Sequence, residues 1–224
     1  MKKGLTELVF VLDRSGSMRG LESDTIGGFN AMIEKQKREP GEAFVTTVLF
    51  DDQYEMIHNR FNIEMIRPLT ANDYYARGCT ALLDAVGRTI DQVGRTQKYL
   101  PEAERAEKVI FVITTDGLEN SSREYSYQRL QSMIQNQKEK YNWEFIFLGA
   151  NMDAVAEAKK FGIASDRAVT FENDSQGVQL NYQVVGKTIA TMRACAPSER
   201  VGDEWKKEID EDYKKRSKLK FWKK

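Results

Sequence analysis

Glu7-Leu8-Val9-Phe10-Val11-Leu12-Asp13-Arg14-Ser15-Gly16-Ser17-Met18 is the stretch that decides the fold of this chain. Leu8 to Leu12 is an unbroken apolar run that ends abruptly in a carboxylate. Such a run reads as a strand covered on both faces, hence a central strand of a parallel sheet. A carboxylate at its C-terminal end then lies at the sheet edge, where open α/β folds bind ligands. Asp13, Ser15 and Ser17 all carry oxygen, and Gly16 lets the turn bend so that both hydroxyls face one point. Hard divalent cations take donors of this kind.

The same grammar recurs downstream. Val109-Ile110-Phe111-Val112-Ile113-Thr114-Thr115-Asp116-Gly117 is a second buried run ending in carboxylate and glycine, and Trp143 to Leu148 is a third. Phe44 to Phe50 and Tyr54 to Phe61 read as strands joined by a tight hairpin turn at Asp51-Asp52-Gln53. Glu55, His58 and Arg60 make the latter an antiparallel edge facing water, with His58 solvated.

Helical spacing fills the intervals. Leu21, Ile26, Phe29, Met32 and Ile33 mark a helix within Gly20 to Glu39, stopped by Pro40-Gly41. Leu82, Val86, Ile90 and Val93 follow Cys79-Thr80, and Tyr127, Leu130, Met133 and Ile134 follow Ser121-Ser122. Asn151 or Asp153 caps a short helix to about Phe161, Ala168 to Phe171 is a last strand, and Val178, Tyr182, Val185, Ile189 and Met192 line a helix from Gln176 to Ala194. Ile63 to Gly78 reads as loop. Strands alternating with helices predict an α/β, three-layer Rossmann-like doubly wound sheet, mostly parallel with one antiparallel edge strand. If the strands ending in Asp13 and Asp116 are neighbours, both carboxylates sit where the strand order reverses.

A third stretch, Gly78-Cys79-Thr80-Ala81-Leu82, adds a hydroxyl just before a helix. Taken in order, Asp-x-Ser-x-Ser after an apolar strand, this threonine loop and Thr114-Thr115-Asp116-Gly117 resemble the von Willebrand factor A-type (vWA) domain family and its metal-ion-dependent adhesion site. The resemblance spans residues 5 to 195 and is to intracellular bacterial members, some associated with tellurite-resistance and stress-response gene clusters. It implies the vWA fold and a metal ligand set of Asp13, Ser15, Ser17, Thr80 and Asp116. The family often has a second glycine where this chain has Cys79, read here as a small buried filler.

Two carboxylates and three hydroxyls bring limited negative charge, so a cation bound by them keeps electrophilic character. Mg²⁺ wants about six oxygens in near-octahedral geometry, and five candidate side chains leave a position for a carboxylate from a partner protein. Mn²⁺ fits equally well, whereas Ca²⁺, which prefers more carboxylates, is disfavoured. Glu119, Asn120, Asn151 and Asp153, also at strand ends, read as supporting or capping residues. Met18, Arg19, Tyr74 and Tyr75 flank the site on loops, either as interface anchors or packed on their own domain.

Composition bounds the function. Of 224 residues, 41% are hydrophobic and 30% charged, with formal net charge zero, which gives no overall bias toward nucleic acid or anionic membrane. The apolar run behind Met1-Lys2-Lys3 is too short for a secretion signal, and no run reaches membrane-spanning length. Cys79 and Cys195 lack CxxC spacing, so the expected setting is reducing and cytoplasmic. The expected organisation is a vWA domain over residues 1–195 and a charged C-terminal extension over 196–224. From Lys214 to Lys224 that extension is basic and reads as a solvated tail, with nucleic-acid binding as a less favoured role.

The reading that follows is a non-enzymatic, metal-dependent protein-binding module inside the cell. Its alternative is a Mg²⁺-dependent phosphohydrolase using Asp13 as nucleophile. That chemistry usually wants a second carboxylate two residues on, where this chain has Ser15, and a phosphate-binding lysine for which there is no motif. A P-loop and a Gly-x-Ser-x-Gly elbow are both absent from the sequence.

Overall fold

The computed structural model of the chain describes residues 1–150, 152–196, 199 and 201–222, without the side chains of 218–222. Asn151 and the basic side chains at the end of the predicted tail lie outside the described residues.

Among the described residues, six strands form one sheet: β1 (Lys2–Asp13), β2 (Ala43–Phe50), β3 (Tyr54–Asn62), β4 (Ala106–Thr115), β5 (Glu144–Ala150) and β6 (Ala168–Phe171). Their order is β3-β2-β1-β4-β5-β6, every pairing parallel except β2 with β3. The mostly parallel, doubly wound sheet with an antiparallel edge is therefore as the sequence predicts. The α-helices among the described residues are α1 (Glu22–Lys37), α2 (Leu82–Tyr99), α3 (Tyr127–Tyr141), α4 (Ala154–Lys160), α5 (Ser175–Ala194) and α6 (Lys207–Trp222).

The pleat of β1 explains its unbroken apolar run. Leu8, Phe10 and Leu12 join the core under α1 and α5, while Val9 and Val11 join the one under α2 and α3. Because β1 pairs with β2 on one side and β4 on the other, the direction in which the chain adds strands reverses between β1 and β4. The crevice outside their C-terminal ends is the ligand position of such sheets. Asp13 and Asp116 lie there.

Three expectations change. The stretch from Lys214, expected as a solvated tail, is held where its side chains are described: it continues α6, which packs on β6 and α5 with Ile209 buried in the core, and Arg216 and Ser217 bond to Asp174 and Glu172. Its charge-rich sequence hid this, because Ile209 is buried within a charged stretch and Trp205 packs against the core. Trp205 Nε1 donates to the Asp166 carbonyl. His58 is half-buried, its imidazole beside Phe61, and burial lowers its pKa. Cys79 is exposed, since the Gly78 turn points it away from the core. The link from Ile63 to Gly78 is a loop with one helical turn at Ile63–Met65, and Ile63, Ile66, Leu69 and Tyr74 tie it to the core.

Candidate metal centre

Asp13 closes β1 and is 1% exposed. Its Oδ1 accepts from the Ser15 backbone N–H at 2.6 Å and its Oδ2 from the Thr115 hydroxyl at 2.6 Å. Burial outweighs these two bonds and pushes the carboxyl up to about 6 from an ordinary 3.8, with a smaller push from the neighbouring Asp116 charge. Asp116 is raised for the same first reason, opposed by hydrogen bonds from Ser17 and Asn173. Among the described residues neither carboxylate has an ion pair.

The hydroxyls complete a continuous oxygen surface. Ser15 Oγ lies 3.0 Å from Ser17 Oγ, and Ser17 Oγ donates to Asp116 Oδ1 at 2.6 Å. Thr80 faces the same spot: a Cβ placed on Gly117 would lie 2.8 Å from Thr80 Oγ1 and 3.3 Å from Ser17 Oγ. Glycine after Asp116 is thus a requirement of space. The five predicted residues are brought together, although Asp13 and Asp116 are 103 positions apart in sequence.

Thr80 is held by the loop after β4. Asn120 Oδ1 accepts from Thr80 N–H at 2.9 Å, and Asn120 N–H donates to the Thr80 carbonyl at 3.1 Å. Ala81, the N-cap of α2, provides no side-chain cap, and the loop does so instead. Glu119 Oε2 accepts from Leu83 N–H and Ser122 Oγ from Asp84 N–H. In return Asp84 accepts from the N–H groups of Arg123, Glu124 and Tyr125. Gly16 N–H donates to the Gly78 carbonyl, tying the serine turn to the threonine loop. Gly78 sits at φ +66, and a Cβ there would meet the Asp52 carboxylate at 2.1 Å.

No family model matches the chain, and none of the curated proteins matches it in sequence. Solved structures do. One is proximal thread matrix protein 1 from the mussel byssus with a zinc-occupied MIDAS motif: TM-score 0.57, 15% identity, covering 84% of this chain and 46% of that one. Another is the vWF domain of a type V pili tip protein from Porphyromonas gingivalis, at TM-score 0.57 and 11% identity over 88% of this chain and 98% of that one. A third is the von Willebrand factor type A protein from Catenulispora acidiphila, at TM-score 0.53 and 18% identity over 88% of this chain and 43% of that one. This chain has the vWA fold. It spans less than half of the mussel protein, 46% of that chain.

In this vWA fold the donor set fits a hard divalent ion. Two buried carboxylates have no cationic partner among the described residues, and three hydroxyls crowd the same point, one of them spent on Asp116. No cluster of three or more His, Cys, Asp or Glu that could hold a metal occurs among the described residues, so the site is hydroxyl-rich, as hard oxygen-seeking cations accept.

Three residues support the site, with signals in the sequence that range from weak to none. Thr115 bonds Asp13, and its signal is the second hydroxyl in Thr114-Thr115-Asp116. Tyr74 is fully buried and donates to the Asp13 carbonyl, which settles its role as packed on its own domain, whereas Tyr75 is exposed. Asn173, which donates to Asp116 Oδ2 at 3.1 Å, has no signal at all. Met18 is buried and Arg19 exposed, and Asp153 caps α4 through Ala156 N–H. No described helix is long and apolar enough to cross a membrane.

Proposed function

We propose that this chain is a divalent-metal-dependent protein-binding module whose metal is held by Asp13, Ser15, Ser17, Thr80 and Asp116. The observation that carries the proposal is a pair of buried carboxylates with no cationic partner among the described residues, facing three convergent hydroxyls. Burying two charges without compensation is costly, and a bound cation removes that cost. A divalent ion there offers positive charge and a coordination position to an oxygen from outside. Ser17, exposed at the rim, marks the side from which a partner's carboxylate reaches it.

Mg²⁺ is the preferred ion, Mn²⁺ an equal fit. The free thiols of Cys79 and Cys195 suit action inside a cell. A phosphohydrolase role is less well supported, because Ser15 stands where that chemistry usually has a second carboxylate and no motif provides a phosphate-binding lysine.

The test is thermal unfolding with Mg²⁺, Mn²⁺ or chelator, alongside a pull-down in the same three conditions. The wild type should gain melting temperature with either ion and Asp13→Ala should not, with partner capture lost in chelator. An equal response from both proteins removes the site from consideration. Mg²⁺-dependent hydrolysis of an aryl phosphate, lost in Asp13→Asn, would favour the phosphohydrolase instead.

A further inference from the structure

Beyond the five oxygen donors, one contact on Asp116 comes from a distant part of the chain. Asn173 lies in the three-residue link between β6 and α5 and donates its amide to Asp116 Oδ2, while Ser17 occupies Oδ1. The other end of that amide, Asn173 Oδ1, is buried with no hydrogen-bond partner among the described residues. The amide orientation follows from chemistry, since a carboxylate takes the N–H₂ side and not the oxygen. The link is held from both sides by the C-terminal helix. Arg216 of α6 donates to both oxygens of Asp174, at 2.9 and 2.6 Å, and Ser217 donates to Glu172 at 3.4 Å.

Each of these grips is aimed. Arg216 also pairs with Asp212 one turn back on α6, at 2.7 Å, which fixes the guanidinium. Asp174 is the N-cap of α5, accepting from Gly177 N–H at 2.9 Å. The link folds so tightly over the first turn of α5 that a Cβ on Gly177 would lie 1.9 Å from the Glu172 carbonyl oxygen. Asn173 therefore has little freedom of its own; its position follows from its two neighbours. The helix that holds them is anchored in the core by Ile209.

We propose that Asn173 is a positioning residue for Asp116, that Arg216 sets it, and that the seating of α6 thereby tunes the affinity of the centre for a divalent ion. The proposal rests on the metal-binding reading above. A residue that orients a ligating carboxylate shapes affinity nearly as a ligand does. When Arg216 lets go, the link relaxes, the amide leaves Asp116, and the carboxylate turns further toward Ser17, withdrawing two donors at once. The basic C-terminal segment thus acts on the metal centre without touching it.

The experiment is calorimetric titration of the full chain with Mn²⁺, in wild type, Asn173→Ala, Arg216→Ala, Arg216→Lys and the Asn173→Ala/Arg216→Ala double variant. Melting curves in chelator serve as the folding control. Asn173→Ala should weaken Mn²⁺ binding about tenfold. Arg216→Ala should weaken it several-fold, Arg216→Lys should restore most of the loss, and the double variant should bind no more weakly than Asn173→Ala. An unchanged constant in Arg216→Ala, or losses that multiply in the double variant, overturns the proposal. If the wild type takes up no Mn²⁺, the metal-binding reading falls first. Amide exchange in chelator then decides separately: faster exchange around Asp116 in Arg216→Ala supports the clasp, and unchanged exchange there overturns it.

Discussion

Adjacent residues at the end of β1 send their side chains into two buried charge clusters that are neutralised in opposite ways. Arg14, fully buried, turns toward the β2–β3 hairpin, where its Nε lies 3.2 Å from Asp51 Oδ2 and its Nη1 2.6 Å from Glu55. Arg77 adds a second guanidinium to the same Asp51 oxygen at 2.5 Å. Asp13 turns the other way, toward β4, and meets hydroxyls and Asp116 but no cation among the described residues. Asp51 is a carboxylate whose partners are built into the chain. On the proposed reading, Asp13 and Asp116 are carboxylates whose partner comes from solution. The contrast sets a structural ion pair beside the proposed binding site.

The comparison breaks most visibly at Arg14. Arg14→Met leaves Asp51 buried beside Arg77 alone, and urea unfolding should show a loss on the order of 3–5 kcal/mol, the same with and without Mg²⁺. A Mg²⁺-dependent loss would mean that the two clusters are one. Asp13→Asn should behave in the opposite sense. In chelator the variant should be at least as stable as the wild type, because it sheds an uncompensated buried charge. At an ion concentration one hundred times the dissociation constant it should lack the gain of about 2.7 kcal/mol that binding gives the wild type. A variant that is weaker even in chelator would show that Asp13 is held as firmly as Asp51.

Proton and metal compete for the same carboxylate, which sharpens the contrast further. Without an ion, the folded chain holds the Asp13 proton up to about pH 6, above the ordinary 3.8. Neutral Asp13 therefore supports the fold below about pH 4, and that support is lost as the pH rises through about 6. The stabilisation by Mg²⁺ should be larger at pH 7.5 than at pH 5 by on the order of 1–2 kcal/mol, read from paired melts with ion and with chelator. A gain that does not change with pH would disconnect Asp13 from the ion.

Much of the site is legible in the order of residues alone. The run Leu8 to Leu12 followed by Asp13, and its echo at Val109 to Asp116, mark two central strands and their carboxylate ends. Local physics does this: a strand apolar on both faces has one kind of environment, and its first polar residue marks the sheet edge. The threonine loop is legible because Gly78 and the helical stripe after Thr80 are local signals too.

What only the tertiary structure decided has a common cause, which is long-range contact between segments that carry no local signature. The pairing of Arg14 with Asp51 crosses 37 positions, Asn173 reaches Asp116 across 57, and Arg216 reaches Asp174 across 42. Polar side chains of this kind look solvated in a sequence, since nothing in their neighbours says whether a partner will arrive. The packing of α6 was hidden for the same reason, since its buried Ile209 stands within a charged stretch. The sequence alone therefore determined the sheet, its alternation of strands and helices, and the five oxygens at one edge. Which buried charges have partners among the described residues and which do not was decided by the folding of distant segments onto each other, because compensation of charge is a property of pairs in space and not of neighbours along the chain.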